Sequence, residues 1–292
     1  MKIDPDDFRV DAGHRVQLRK WPTRVDPFYK SEEEAGRLLA EQVARTSELQ
    51  DVLYASNTHS LLLIFQALDA AGKDGAIKHV MSGVNPTGCE VTSFKQPSVE
   101  ELDHDFLWRT TMHLPRRGNI GIFNRSYYEE VLVVRVHPEL LQREGLPPKR
   151  LESGKLWAQR FESIRNYETH LSRNGTQVVK FYLHVSKEEQ RRRFLERIDH
   201  PEKNWKFALG DVAERDHWES YRVAYEDCMA ATSTQEAPWF VVPADDKKNA
   251  RLVISRIVNQ TLESMGLKYP KLDKQRRVEL NASRNLLTRP KP

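Results

Sequence analysis

Three stretches carry the residue types needed to hold phosphate and to stabilise the charge of its transfer. In Leu61–Lys78, LLLIFQALDAAGKDGAIK, an apolar run ends in a small-residue loop carrying Ala70, Ala71, Gly72, Lys73, Asp74 and Gly75, then turns helical. That layout aims the free amides of a helix N-terminus at whatever lies beyond the strand, and a lysine adds a point charge there. The usual form, GxxxxGK[ST], has glycine where Ala67 stands and a hydroxyl residue where Asp74 stands. Asp69, inside the loop, would repel bound phosphates unless a divalent cation lay between them, so it reads as a metal ligand. The plain alternative is an ordinary strand-to-helix turn with a solvated lysine.

The second stretch is FNRSYYEE, Phe123–Glu130, which ends another buried-strand pattern, Ile120–Phe123. Asn124 can orient a metal-bound water or a phosphate but brings no charge, so Asp69 and Glu129 are the expected anionic metal ligands. Arg125 can grip phosphate oxygens with two parallel hydrogen bonds. The third is SKEEQRRRFLER, Ser186–Arg197, where Arg193 and Arg197 share a helix face at a spacing of four. Two guanidinium groups on one face can neutralise charge on a transferring phosphoryl group; a solvated helix paired with Glu189 and Glu196 is the alternative. Lys203 and Lys206 follow in DHPEKNWKF, a cationic loop suited to a movable lid at about 187–215. Lys95, Arg109, Arg116 and Arg117 each read alone as solvated charges, but together they suit a long polyanion at the ends of the strands.

The elements that must position these groups alternate. Residues 1–30, with Pro5, Pro22 and Pro27, read as an extended arm. A helix spans Ser31–Ser56, opened by a Ser31/Glu34 capping box, and a strand runs from Leu61 to Leu68. After the loop helix come a strand at Val91–Phe94 and a helix opened by Ser98 and Glu101 that runs through Phe106 and Leu107. Beyond Phe123 the pattern predicts a helix at Tyr127–Val136 and an amphipathic helix carrying Trp157, Phe161, Ile164 and Leu171, stopped at Asn174-Gly175. Then follow a strand at Val178–Val185, helices at Lys187–Ile198 and Asp211–Met229, a strand at Trp239–Val242, a helix from Asn249 to Leu267 and a loose polar tail. The expectation is an α/β fold, a parallel sheet with helices on both faces, over 31–267, with the tail at 268–292. Ligands bind such sheets beyond the carboxyl ends of the strands.

At 292 residues, 30% charged and 39% hydrophobic, the composition is that of a soluble globular chain. No apolar run approaches the ~20 residues of a membrane span and no signal peptide is visible, so a cytoplasmic location is expected. Cys89 and Cys228 give no disulfide framework and read as packed residues. A net charge of +4, from 46 Lys and Arg against 42 Asp and Glu, advertises no nucleic-acid binding.

Taken together, FQALDAAGKDGAIKHV, GVNP, SFKQPS, HDFLWR, IGIFNRSYYEEVLVVRV, KFYLHVSKEEQ, NWKF and APWFVVPAD resemble the polyphosphate kinase 2 family from about Ser31 to Leu267. The resemblance implies a phosphate-loop kinase fold like that of thymidylate kinase, with a helical lid. The implied enzyme passes a phosphoryl group between inorganic polyphosphate and a nucleotide, with magnesium, or manganese in its place, as cofactor. By motif, Asp69 and Lys73 match the family's first phosphate motif, Asn124 and Arg125 the second, and Arg193 and Arg197 the lid helix. Many members carry Asp at the position of Asn124 and Asn at that of Glu129. The pair found here resembles the subgroup that phosphorylates AMP as well as ADP, with guanine nucleotides as further candidates. A homo-oligomer, dimer or tetramer, is expected. Relatives place a tryptophan where this chain has Lys248-Asn249, which bears on the packing of the last helix. The competing readings are an ATP-dependent nucleoside monophosphate kinase, which normally keeps the full glycine and hydroxyl motif, and a nucleic-acid-binding module, which the modest charge disfavours.

Overall fold

A computed structural model describes residues 3–288 and shows one five-stranded sheet, β1 (Ser60–Gln66), β2 (Cys89–Ser93), β3 (Ile120–Asn124), β4 (Thr176–His184) and β5 (Trp239–Pro243). The order is β2-β3-β1-β4-β5, and each neighbouring pair is parallel. All carboxyl ends therefore lie on one edge.

Every residue of β1 is buried because the sheet is covered on both faces. Leu61, Leu63 and Phe65 point to one layer, built by helices α1 (Glu32–Ser56), α2 (Lys73–Val80) and, much later in the chain, α6 (Lys247–Ser264). Leu62 and Ile64 point to the other, which holds α3 (Leu156–Arg173) and α5 (Trp218–Thr232). The helix between them in sequence, α4 (Lys187–Asp199), leads from β4 into the lid segment. On α3, Phe161, Ile164 and Leu171 are buried at the expected spacing.

Residues 3–30 cross the open edge of β5. Val10 N–H donates to Trp239 O at 2.9 Å, while Phe8 and Leu18 are buried in opposite layers. An arm that pairs with an edge strand also blocks that edge from pairing with another chain. Asn249, one of the two residues that depart from the family pattern, stitches the arm to α6: it accepts from Phe28 N–H at 3.0 Å and donates to Val25 O and Asp26 O at 3.3 and 3.2 Å.

Four expected elements come out differently. The helix opened by Ser98 keeps its full capping box but ends at Leu102, and a separate turn, Trp108–Thr111, follows once the Asp105 carboxylate accepts from Leu107 N–H. Tyr127–Val136 is a 3₁₀ turn, Tyr127–Val131, then a short helix, Val133–Val136, because the Ser126 hydroxyl caps Tyr128 N–H. Asp211–Met229 breaks into Gly210–Ala213, a 3₁₀ turn at Glu214–His217, and α5. In the tail, Lys274–Leu287 forms an exposed helix, α7, capped by the Asp273 side chain on Arg276 N–H. Met1, Lys2 and 289–292, the extremities of the arm and tail, lie outside the described residues. The Ser31/Glu34 capping box is half formed, since Glu34 accepts from Lys30 N–H instead of Ser31 N–H.

Candidate active site

The strand β1 stops at Gln66, and Ala67–Gly72 turns the chain back into α2. The loop needs left-handed backbone at Gly72, φ +105°, where a side chain is strained, and takes Ala70 there too, at φ +60°. Lys73, the first residue of α2, bends back to donate from Nζ to Ala67 O at 3.0 Å. Burial, reinforced by the charge of Arg125, pushes its ammonium below the usual lysine range.

Beyond the carboxyl edge lies a cleft of about 700 Å³. It gathers Asp69, Ala70, Ala71, Gly72, Lys73, Asp74 and Gly75 from the loop, Lys95 after β2, Asn124 and Arg125 after β3, and Arg197 and Lys203 from the lid. Nearly all the expected site residues therefore meet in one place. Arg125, at a left-handed φ of +65°, places Nη2 3.2 Å from Asp69 Oδ1 and Nη1 3.5 Å from Glu129 Oε2. Glu129, chiefly, holds the Arg125 guanidinium in its charged form. Asn124 Nδ2 donates to Asp74 Oδ1 at 2.7 Å. The expected metal ligands Asp69 and Glu129 thus stand on either side of one guanidinium. Asp69 keeps about a third of its side chain open to the cleft, whereas Glu129 is 14% exposed, and the Gln66 amide nitrogen, turned to donate, lies 2.8 Å from its Oε1.

Three expectations are corrected. Arg116 and Arg117 precede β3, and in a parallel sheet that puts them on the amino edge, roughly 16 Å of strand from the cleft. Arg117 Nη2 instead reaches Asn174 O, ahead of β4, at 3.5 Å. Arg109 is not a solvated charge: it is buried, donates to Lys95 O at 2.8 Å and pairs with Glu130 at 3.3 Å. Arg193, expected with Arg197 to present its charge to a transferring phosphoryl group, lines the cleft but is 4% exposed and committed to the protein. Its Nε donates to Glu189, Nη1 to Ala70 O and Ala71 O at 3.2 and 2.7 Å, and Nη2 to Ala244 O and Asp245 O at 2.6 and 3.3 Å. It ties the lid helix to the phosphate loop and to the end of β5. Arg197, 23% exposed, is more loosely held, by Lys206 O at 3.3 Å and Asp211 at 3.6 Å.

Sequence reasoning missed Lys247 and Arg251, one turn apart at the start of α6, which also line the cleft. The signal was available, since α6 follows β5 at the same edge as the loop. Burial lowers both cations, and the neighbouring Arg193 lowers Lys247 further. It also missed Trp205, whose indole lines the cleft while 78% exposed, and Asp211, whose carboxyl burial and Asp69 push up. Basic side chains lining the cleft outnumber acidic ones nine to four. A second cavity of about 360 Å³ opens from the same place, sharing Lys95, Gln96 and Arg125, and is walled by Leu102, Val133, Val134 and Leu140. No helix among the described residues is long and apolar enough to cross a membrane.

A parallel sheet with helices on both faces, a glycine-lysine loop after its central strand and an arginine-bearing lid together define a phosphate-loop kinase fold. The family model Polyphosphate kinase 2 (PPK2) matches residues 29–270. An ADP-polyphosphate phosphotransferase of Rhodopseudomonas palustris is 58% identical over 287 residues, 98% of this chain and 99% of that one. An AMP/ADP-polyphosphate phosphotransferase of Meiothermus ruber is 42% identical over 90% of this chain and 94% of that one. The crystal structure of polyphosphate kinase 2 from Arthrobacter aurescens superposes with a TM-score of 0.85 at 38% identity, covering 98% of this chain and 96% of that one. This chain belongs to the polyphosphate kinase 2 family and is a phosphotransferase.

Proposed function

We propose that the chain transfers phosphoryl groups between inorganic polyphosphate and adenine nucleotides, with ADP and AMP as acceptors and GDP and GMP as further ones. The carrying observation is the nine-to-four excess of basic side chains around a cleft that begins at the phosphate loop and continues along the lid and α6. A donor made only of phosphate needs cations along its length and no seat for a base. The adjoining cavity, apolar on one wall and reached past Arg125, suits the acceptor nucleoside. A terminal oxygen of the acceptor attacks the end phosphorus of the donor; a new P–O bond forms as the anhydride P–O bond to the rest of the chain breaks. Lys73 and the loop amides hold the donor, Arg125 holds the acceptor phosphate, and Arg197 adds positive charge from the lid.

Magnesium, or manganese in its place, belongs to the proposal as cofactor. Magnesium prefers oxygen ligands, keeps several waters and uses one or two carboxylates together with substrate phosphates. The Asp69 carboxylate, about a third open and facing the cleft, fits that requirement; Asn124 would orient a metal-bound water and Glu129, across Arg125, would be the second acid. When bound, the ion neutralises phosphate charge between donor and acceptor. Operation in the cytoplasm, which two free cysteines support, and assembly as a dimer or tetramer complete the reading.

The test offers AMP, ADP, GMP and GDP with polyphosphate, with ATP alone as control, each with magnesium and with EDTA. Product that requires polyphosphate and magnesium is expected. Equal transfer from ATP to a monophosphate without polyphosphate would return the chain to the ATP-dependent kinases.

A further inference from the structure

A lysine stands in the middle of the central sheet with none of its side chain exposed: Lys180 on β4, between Ile64 of β1 and Trp239 of β5. Its Nζ donates to Glu168 Oε2 on α3 at 2.5 Å and to Thr232 O on α5 at 2.8 Å. The other oxygen, Glu168 Oε1, accepts two hydroxyls at once, from Tyr127 and Tyr128, each at 2.8 Å. Both tyrosines are wholly buried, and burial together with the Glu168 charge pushes their phenols well up, so both remain donors. A buried ion pair of this kind contributes little net stability, because well-packed apolar side chains of similar volume usually do as well. What it does fix is direction. Two consecutive residues with their hydroxyls on one oxygen atom have no freedom to rotate, and they follow Ser126 and Arg125 directly. Arg125 itself sits in a strained left-handed conformation, tied by its amide to Phe65 O at 3.0 Å and by its guanidinium to Asp69 and Glu129.

We infer that Glu168, oriented by Lys180, is a positioning residue: through Tyr127 and Tyr128 it clamps the segment that aims Arg125 at the acceptor phosphate. The inference rests on the proposed function for the identity of what Arg125 grips. A guanidinium displaced by about 1 Å can lose up to a hundredfold in rate, so a preorganised site needs such support behind it.

The experiment is a double-mutant cycle that leaves the buried charges paired. Y127F/Y128F removes only the two hydroxyls, and Arg125→Ala removes the group they are inferred to aim. In the otherwise native chain Y127F/Y128F is expected to lower polyphosphate-dependent kcat about tenfold, with the KM for polyphosphate unchanged and the protein folded. In the Arg125→Ala background the same pair is expected to lower kcat by less than twofold, because nothing remains to be aimed. An equal fold-loss in both backgrounds, or no loss in the native one, overturns the inference and leaves the network a packing feature. Should the native chain show no polyphosphate-dependent transfer, the proposed function fails by itself. The cycle is then read from the affinity for AMP by calorimetry, where the same non-additivity is expected and additivity overturns the inference.

Discussion

The phosphate loop and the lid face each other across one cleft and are built in opposite ways. The loop is held by its own backbone and by its surroundings: Lys73 reaches back to Ala67 O, Gln190 Nε2 donates to Asp69 O at 3.0 Å, and Arg193 binds two loop carbonyls. The lid, from Arg197 to His217, presents cations whose partners lie within the lid or its helix, Lys203 with Glu196 and Arg197 with Asp211, together with exposed apolar side chains, Trp205 and Leu209. A segment with few buried contacts opens at low cost, and one cross-braced by buried hydrogen bonds does not. On the proposed function, the braced loop is the fixed anvil for phosphate and the lid the part expected to close. Arg193 and Arg197, four residues apart on α4, stand on either side of that division.

The comparison is tested most strongly at Lys73. Lys73→Ala should lower kcat by about a hundredfold or more through lost charge stabilisation, while the melting temperature hardly moves. Near-full activity in the folded variant would show that the loop does not hold the transferring phosphate. Next come the two arginines. Arg193→Lys strands carbonyls that a planar fork had served, so roughly 2 kcal/mol of stability should go, seen as a melting temperature lower by about 5 °C. Arg197→Lys should leave melting within about 1 °C and lower kcat about tenfold. If the two variants lose stability equally, loop and lid are one rigid unit and the contrast fails.

A smaller effect is expected in the pH profile. Lys73 is pushed down by burial first and by Arg125 second, so its ammonium loses a proton at lower pH than a free lysine near 10.4. In the folded protein the charged form is disfavoured, a cost to stability present below the folded pKa and relieved as pH rises through it. The alkaline limb of kcat/KM should accordingly fall below the ordinary lysine range. The limb of kcat should lie higher, since bound phosphate restores the charged form. Coincident limbs would mean that Lys73 does not meet the substrate.

The loop, the strands and their parallel direction, though not their order in the sheet, were legible because they depend on local patterns: an apolar run, a glycine-lysine turn, a serine cap. The misread parts depend on contacts distant in sequence. Arg193 looks identical to Arg197 on a helical wheel, and only the close approach of Ala70, Ala71 and Ala244 decides that it is buried. Arg116 and Arg117 stand before a strand, and a rule about strand direction could have excluded them. Tyr127–Val136 carries helical periodicity, yet the Ser126 cap at its start and the bonds of its tyrosines to Glu168, forty residues on, leave it as two pieces. Lys180 gave no sign at all, because a lysine in a strand pattern is ordinarily a solvent-facing residue.

The smallest effect expected concerns which acceptor is used, and it turns on Glu129. The sequence suggested a metal ligand; in the structure its carboxylate faces Arg125 at 3.5 Å and lines the cavity proposed for the acceptor. Besides its proposed part as the second acid for magnesium, it bears on acceptor choice through the arginine. A diphosphate offers Arg125 two phosphate groups and tolerates some freedom in the guanidinium, whereas a monophosphate offers one and needs the fork held at a single angle. Glu129→Asn removes the charge that holds Arg125 from behind and shortens the side chain by one methylene. Asp69 remains on the other side at 3.2 Å, so the arginine is loosened and not lost. Phosphorylation of AMP by polyphosphate should fall about fivefold more than that of ADP, about 1 kcal/mol and so the size of one net hydrogen bond. Both acceptors must be assayed with the same variant and donor. A proportional loss for the two would show that Glu129 merely sustains its own turn of 3₁₀ helix, and that acceptor length is read elsewhere in the cleft.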